Sequence, residues 1–358
     1  MKKLISVILI CILIFSFNIF SSAEDTILLS AKSAVVISAD TCEVVYSKNM
    51  SEKLPMASTT KIMSSIIALE YGAVDKMQKV TTDMIAVEGS SIGLIDGDEI
   101  SLKTLVKGML LESGNDAANA VAHIVSGSIT AFVKLMNNKA KEIGMNSTSF
   151  ETPSGLDGEN HYSTAFDMAL LGAYAIKNPE FKSICEDESD VVYYGNPPYR
   201  RVFTNHNKLL ELYDGAFGIK TGFTKKSGRC LVSAVCKDGK TLIAVTLNAP
   251  DDWNDHIKMY DYAFEKVNSC QLIKDLNEIQ VKVVGGVKSS IDVEMLDIPQ
   301  YTTVNNFEYI EKIYIKQFEY APVYKGDVVG KIEFYYNDIK IYDVPICASE
   351  TVEITSKI

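Results

Sequence analysis

Leu54-Pro55-Met56-Ala57-Ser58-Thr59-Thr60-Lys61-Ile62-Met63 reads as a turn leading into a helix, with a serine and a lysine at its mouth. Ile62, Met63, Ile66 and Ile67 recur on one helical face, and Gly72 stands where such a helix should stop. Ser58 and Lys61, three apart, fall on neighbouring positions of that helix surface. A helix N-terminus favours negative charge developing beside it. A serine hydroxyl is a weak nucleophile until a base takes its proton. Lysine serves as that base when burial and nearby cations bring its pKa toward neutrality. Alone the pair proves little, because two fixed positions in four arise by chance about once in a chain of this length. A capping serine followed by a solvated lysine fits it equally well.

Two further motifs change the weighing. Ser113-Gly114-Asn115 falls between two helical patterns, where a loop can aim both side chains into a cleft. Ser47-Lys48-Asn49 has the same bare form but precedes Ser58 and sits at a hairpin end. Lys220-Thr221-Gly222 occurs once, inside Gly218-Ile219-Lys220-Thr221-Gly222-Phe223-Thr224. On an edge strand Lys220 supplies a cation, Thr221 a hydroxyl donor, and Gly222 a backbone that substrate can approach. Serine–lysine, serine–asparagine and lysine–threonine–glycine, in that order, form the signature of penicillin-binding proteins and β-lactamases.

At these residues the chain closely resembles the low-molecular-mass, serine-type D-alanyl-D-alanine carboxypeptidases. Residues 54–63 are similar to their nucleophile segment, and Ser113-Gly114-Asn115-Asp116-Ala117-Ala118 to their second motif. Gly155-Leu156-Asp157, His161-Tyr162-Ser163-Thr164 and Asp167-Met168-Ala169 are similar to their connecting region. The resemblance spans roughly Ala31 to Val267. It implies Ser58 as the acylated nucleophile and Lys61 as its base. Ser113 and Asn115 would relay protons and orient the peptide, and Lys220 and Thr221 would hold the terminal carboxylate. The N–H groups of Ser58 and Phe223 would form an oxyanion hole, each donor typically worth ~10²–10³ in rate. The implied substrate is the peptidoglycan stem pentapeptide, and β-lactams would be inhibitors. Phe223 departs from the histidine of some relatives, and no terminal amphipathic helix of the kind many use as an anchor precedes Ile358.

Strands and helices are expected around these motifs. Ala34–Ser38 and Glu43–Tyr46 read as a hairpin about Asp40-Thr41. Leu102 to Leu110 reads as a helix, Ser113 to Asp116 as a cap for Ala117–Val125, and Phe132 to Ile143 as a helix stopped by Gly144. Leu231–Val235 and Leu242–Leu247 form a second hairpin, and Trp253 to Val267 has helical spacing. Strands thus bracket a mostly helical middle, predicting an α+β domain with an antiparallel sheet flanked by helices and a helical insert. This is the DD-peptidase/β-lactamase-like fold that the resemblance also implies. From Leu272 the runs shorten to strand-like pieces, predicting a small all-β domain over 272–358 after a catalytic domain over 24–271.

The 358 residues suit two domains, with 47% hydrophobic and 23% charged composition. A net charge of −11 argues against nucleic acid. Lys2 and Lys3, the apolar run Leu4–Phe20 and Ser21-Ser22-Ala23 read as a secretory signal over residues 1–23, with an uncleaved anchor as the alternative. Either reading places the catalytic part outside the cytoplasm and leaves peripheral membrane association open. Beyond the signal, Cys42, Cys185, Cys230, Cys236, Cys270 and Cys347 permit disulfides without requiring them. Cys230 and Cys236 on one strand would stand about 20 Å apart, too far for a bridge. His123, His161, His206 and His256 lack metal-ligand spacing, and no cofactor or metal is expected. A class A β-lactamase would need Glu-x-x-Leu-Asn between the second and third motifs, which is missing. A catalytically dead wall-binding module is disfavoured by the intact Ser58, Lys61 and Lys220.

Overall fold

The computed structural model describes residues 27–272, 276–295, 300–304, 309–336 and 339–355. The expected signal segment lies outside them. Among the described residues, five antiparallel strands make the central sheet: β1 (Ser33–Ser38), β2 (Val44–Lys48), β3 (Ala216–Thr224), β4 (Gly228–Lys237) and β5 (Lys240–Leu247). Their order is β2-β1-β5-β4-β3, so the N-terminal hairpin joins the later strands where Val35 of β1 faces Val245 of β5. β1 is buried throughout because both sheet faces are covered. Val35 and Ile37 enter the core shared with the helical insert, while Ala34 and Val36 enter the core under the last helix of the domain. β3 lies at the free edge, which leaves its backbone open to an extended peptide.

The insert supplies α1 (Lys61–Tyr71), α2 (Leu102–Leu110), α3 (Asn115–Ser126), α4 (Ile129–Ile143), α5 (Ala165–Ala175) and α6 (Pro179–Glu186). α7 (Asp252–Phe264) covers the opposite face of the sheet. Every residue from Lys61 to Leu69 is buried, so α1 is a core helix rather than an amphipathic surface one. Two sequence expectations are corrected locally. Ala57–Thr60 is a 3₁₀ turn, and α-helix begins only at Lys61. Ser113 to Asp116 does not cap a helix at Ala117. α3 already starts at Asn115, its N-cap is Gly114, and no side chain caps it. The Asp116 carboxylate is drawn instead to the preceding loop, accepting from the N–H groups of Ile92 and Leu94 and from Ser91 Oγ.

The C-terminal part is a six-stranded mixed sheet, ordered Ile310–Ile315, Val328–Tyr336, Ile339–Ala348, Ser290–Met295, Gln280–Val284 and Phe318–Tyr320. Only the last pair runs parallel. It encloses its own core around Ile332, Phe334 and Ile346. A separate two-stranded sheet, Asn268–Gln271 with Gln300–Thr303, is tied to the first hairpin: Thr302 N–H donates to Asp40 Oδ2 at 2.6 Å, and Ser38 Oγ donates to Thr302 O at 2.6 Å. The six cysteines among the described residues are free, with Cys236 exposed on β4.

One buried histidine makes stability depend on pH. His256 of α7 is 0% exposed and hydrogen-bonded to Ser233 Oγ and Thr246 Oγ1, and burial pulls its pKa down to about 3. The unfolded chain binds that proton near pH 6.5, so the contribution is complete above that pH and is lost on acidification. At pH 5 the loss amounts to about 2 kcal/mol. Denaturant unfolding of the wild type and His256→Asn at pH 7.5 and 5.0 should show a shallower pH dependence in the variant. Equal slopes would mean that His256 is not buried neutral.

Candidate active site

The 3₁₀ turn brings Ser58 and Lys61 over one another, since residues three apart eclipse in that helix. Lys61 Nζ lies 2.9 Å from Ser58 Oγ, 2.7 Å from Asn115 Oδ1 and 2.6 Å from Ser154 O. Asn115 Oδ1 and Ser154 O can only accept, whereas Ser58 Oγ can also donate. A neutral amine therefore gives its two hydrogens to the first pair and turns its lone pair to the Ser58 hydroxyl. Burial, and then the Lys220 cation, hold the Lys61 pKa well below the ordinary lysine value, with Asp116 acting weakly the other way. A fully buried lysine poised beside a hydroxyl has the geometry of a general base.

Backbone constraints hold this arrangement. Ala57, just before the serine, has φ 49°, and Ser113 has φ 60°. Such left-handed conformations in non-glycine residues cost about 1–3 kcal/mol and persist only where the surroundings impose them. Gly155, at φ 87°, lies so close beneath the turn that a Cβ would stand 2.0 Å from Ala57 O. Asn115 is fixed from the far side, its Nδ2 donating to Glu88 O at 2.7 Å and its N–H to Ser90 O at 2.7 Å. His161 supports the turn from below: its Nδ1 accepts from Glu151 N–H, so the neutral ring carries its proton on Nε2 and donates to Thr60 Oγ1 at 2.9 Å. Burial lowers its pKa to about 4, which keeps it neutral.

An open cleft of about 360 Å³ exposes the serine. Ser58, Ser113, Thr221, Gly222 and Phe223 line it, together with Ser90, His206, Lys208, Arg229, Asp252 and Trp253. Gly222 runs close against the turn, where a Cβ would come 3.0 Å from Ser58 N. Phe223 is 65% exposed at the cleft mouth. Among the described residues the Ser113 hydroxyl is not hydrogen-bonded to Lys61 as that of Ser58 is. Lys220 is 1% exposed, donates to Thr221 O at 3.0 Å, and has its pKa lowered to about 8 by burial. Its charge is one of the causes that lower the pKa of Lys61.

Sequence reasoning missed the Glu88 and Ser154 carbonyls and the Arg229–Asp252–Trp253 group. The chain's one tryptophan, following Asp251-Asp252, was the available signal for the last of these. Among the described residues no cluster of His, Cys, Asp and Glu could hold a metal.

Comparison with known proteins gives the family. The family model described as D-alanyl-D-alanine carboxypeptidase matches residues 20–251, and that of the penicillin-binding protein 5 C-terminal domain matches residues 274–354. The D-alanyl-D-alanine carboxypeptidase DacF of Bacillus subtilis is 34% identical, the alignment covering 99% of this chain and 95% of that protein. The crystal structure of the D-alanyl-D-alanine carboxypeptidase DacD from Francisella tularensis superposes with a TM-score of 0.65 at 28% identity, covering 95% of this chain and 100% of that one. Penicillin binding protein 5 from Haemophilus influenzae gives a TM-score of 0.64 at 25% identity, covering 92% of this chain and 99% of that one. The chain thus belongs to the serine-type D-alanyl-D-alanine carboxypeptidases, a family of low-molecular-mass penicillin-binding proteins.

Proposed function

We propose that this enzyme removes the terminal D-alanine from peptidoglycan stem pentapeptides through an acyl-enzyme on Ser58. The observation that carries the reading is the contact of 2.9 Å between Lys61 Nζ, fully buried, and Ser58 Oγ. Lys61 takes the hydroxyl proton as Ser58 Oγ attacks the carbonyl of the penultimate D-alanine. The oxyanion is received by the N–H groups of Ser58 and Phe223. The proton then passes to the leaving amine, with the Ser113 hydroxyl as relay, and free D-alanine departs. Water, deprotonated by the same lysine, hydrolyses the ester. Asn115 holds Lys61 and orients the peptide, while Lys220 lowers the pKa of Lys61 and Thr221 binds the terminal carboxylate.

The same attack on a β-lactam carbonyl opens the ring and leaves a slowly hydrolysed ester on Ser58. Residues 1–23 serve as the export signal, the catalytic domain occupies 24–271, and 272–358 form the β domain. The enzyme works at the cell wall or on the outer face of the cytoplasmic membrane. Labelling with a penicillin followed by peptide mapping tests the acyl-enzyme: the adduct is expected on Ser58 alone, and an adduct on any other serine overturns the mechanism.

A further inference from the structure

The hairpin Ser189–Gly195 with Pro198–Thr204 stands beside the cleft and turns one face to solvent. Its inner residues Val192, Tyr194 and Phe203 are buried in the core of the insert, and the Tyr194 hydroxyl donates to Ile92 O at 2.5 Å. The base of the hairpin is tied to the active site, since Thr204 N–H donates at 2.6 Å to Oε1 of Glu112, the residue before Ser113. Side chains alternate along strands, so the outer face carries the facing pairs Ser189 and Thr204, Val191 and Val202, and Tyr193 and Arg200. Val191, Val202 and Tyr193 are 44%, 47% and 62% exposed, which makes an apolar strip ending in an open aromatic ring. Ser189 and Tyr193 stand about 13 Å apart along the strand, so the strip is long enough for a disaccharide.

Where this face meets the chain that follows it lies a hollow of about 350 Å³. Ser189, Val202 and Thr204 line it from the hairpin, and Asn207, Lys208 and Leu210 from the next segment. Lys208 also lines the cleft that exposes Ser58, so the two adjoin. Asn207 is 3% exposed, and its Oδ1 accepts from Leu209 N–H at 3.1 Å, which fixes the amide orientation. Its Nδ2 has no partner among the described residues. A buried donor left unpaired is costly, so a ligand oxygen that reaches it is rewarded. Glu188 and Glu211 line the hollow against the single ammonium of Lys208, which disfavours an anion. A neutral pyranose suits the whole face: its C–H side covers the apolar strip and the Tyr193 ring, while its rim groups take hydrogen bonds. An acetamido group adds the carbonyl that the Asn207 donor requires.

We propose that this face binds a strand of N-acetylated amino sugars, holding glycan alongside the cleft. The proposal rests on the carboxypeptidase reading for its wall substrate and adds to it a saccharide site. The probe is the chitin tetrasaccharide, with the cellulose tetrasaccharide, which has the same linkage but no acetamido groups, as control. Calorimetric titration of the purified enzyme should show binding of the first and roughly 10-fold weaker binding of the second. Tyr193→Ala should weaken binding of the chitin tetrasaccharide by about 10-fold, and Tyr193→Phe should retain most of it. Asn207→Asp keeps the acceptor for Leu209 N–H but removes the Nδ2 donors, and should erase the preference for the acetamido sugar. Circular dichroism verifies that each variant is folded. No binding of the chitin tetrasaccharide, equal binding of both sugars, full affinity in Tyr193→Ala, or a preference that survives Asn207→Asp would overturn the proposal. Binding of a sugar-free stem peptide that is lost in Tyr193→Ala would give the face to peptide and overturn it as well. The titrations need no turnover. An enzyme that cleaves no D-alanyl peptide would end the carboxypeptidase reading with the sugar result intact, and absent sugar binding would leave the Ser58 chemistry untouched.

Discussion

Lys61→Ala should slow acylation of Ser58 by about 10²–10⁴-fold, the range typical for loss of a general base. The alanine variant also empties a buried volume and leaves Asn115 Oδ1 and Ser154 O without their donor, so its stability falls as well. Lys61→Arg separates the two effects. It supplies donors to both acceptors, but a guanidinium cannot be deprotonated in a protein and so has no lone pair to take the Ser58 proton. The arginine variant should therefore be about as slow as the alanine one. Rates of penicillin labelling, with circular dichroism to verify folding, provide the measurement. Near-normal labelling of Lys61→Arg would remove Lys61 from the role of base.

Gly155→Ala should cost about 10²-fold or more in kcat/KM, because displacing a nucleophile by an ångström has effects of that size. The added Cβ would stand 2.0 Å from Ala57 O, 2.5 Å from Ala57 C and 2.9 Å from Thr60 Oγ1, and the position requires φ 87°. The atoms it meets are the backbone of the turn that carries Ser58, so relief comes only by moving the nucleophile. Gly144 supplies the control: at φ 93° with nothing within 4 Å of an added methyl, Gly144→Ala bears only the backbone penalty of about 1 kcal/mol. Normal labelling of Gly155→Ala would show that the turn yields without disturbing Ser58.

The parts of this site legible from residue type are those whose chemistry needs a particular side chain. Ser58, Lys61, Asn115, Thr221 and Gly222 are brought together by the fold as their motifs imply. The hairpins of the central sheet are legible too, because alternating or continuous apolar runs flank short polar turns. Contributions made by backbone atoms leave no mark on composition. The Ser154 and Glu88 carbonyls could have been any residue's, and only the fold brings them to Lys61 and Asn115. Arg229 and Asp252 are common residue types 23 positions apart, joined by the packing of α7 on β4. The strands Ser189–Gly195 and Pro198–Thr204 escape notice for another reason: their turn contains Asn196-Pro197, and the stretch lacks a clean apolar alternation. Tyr194 is 0% exposed against Tyr199 and Phe203, whereas Tyr193 is 62% exposed. The start of α6 at Asn178-Pro179 was missed as well, although Asn178 Oδ1 accepts from two N–H groups of the first turn.

Mass spectrometry of pentapeptide muropeptides incubated with the purified enzyme provides the decisive reading of the reaction. The expected result is conversion of pentapeptide to tetrapeptide, with one equivalent of free D-alanine released and cross-linked dimers little changed, and no conversion by Ser58→Ala. Pentapeptides left intact while cross-links are cut, or equal conversion by Ser58→Ala, would contradict a carboxypeptidase acting through Ser58.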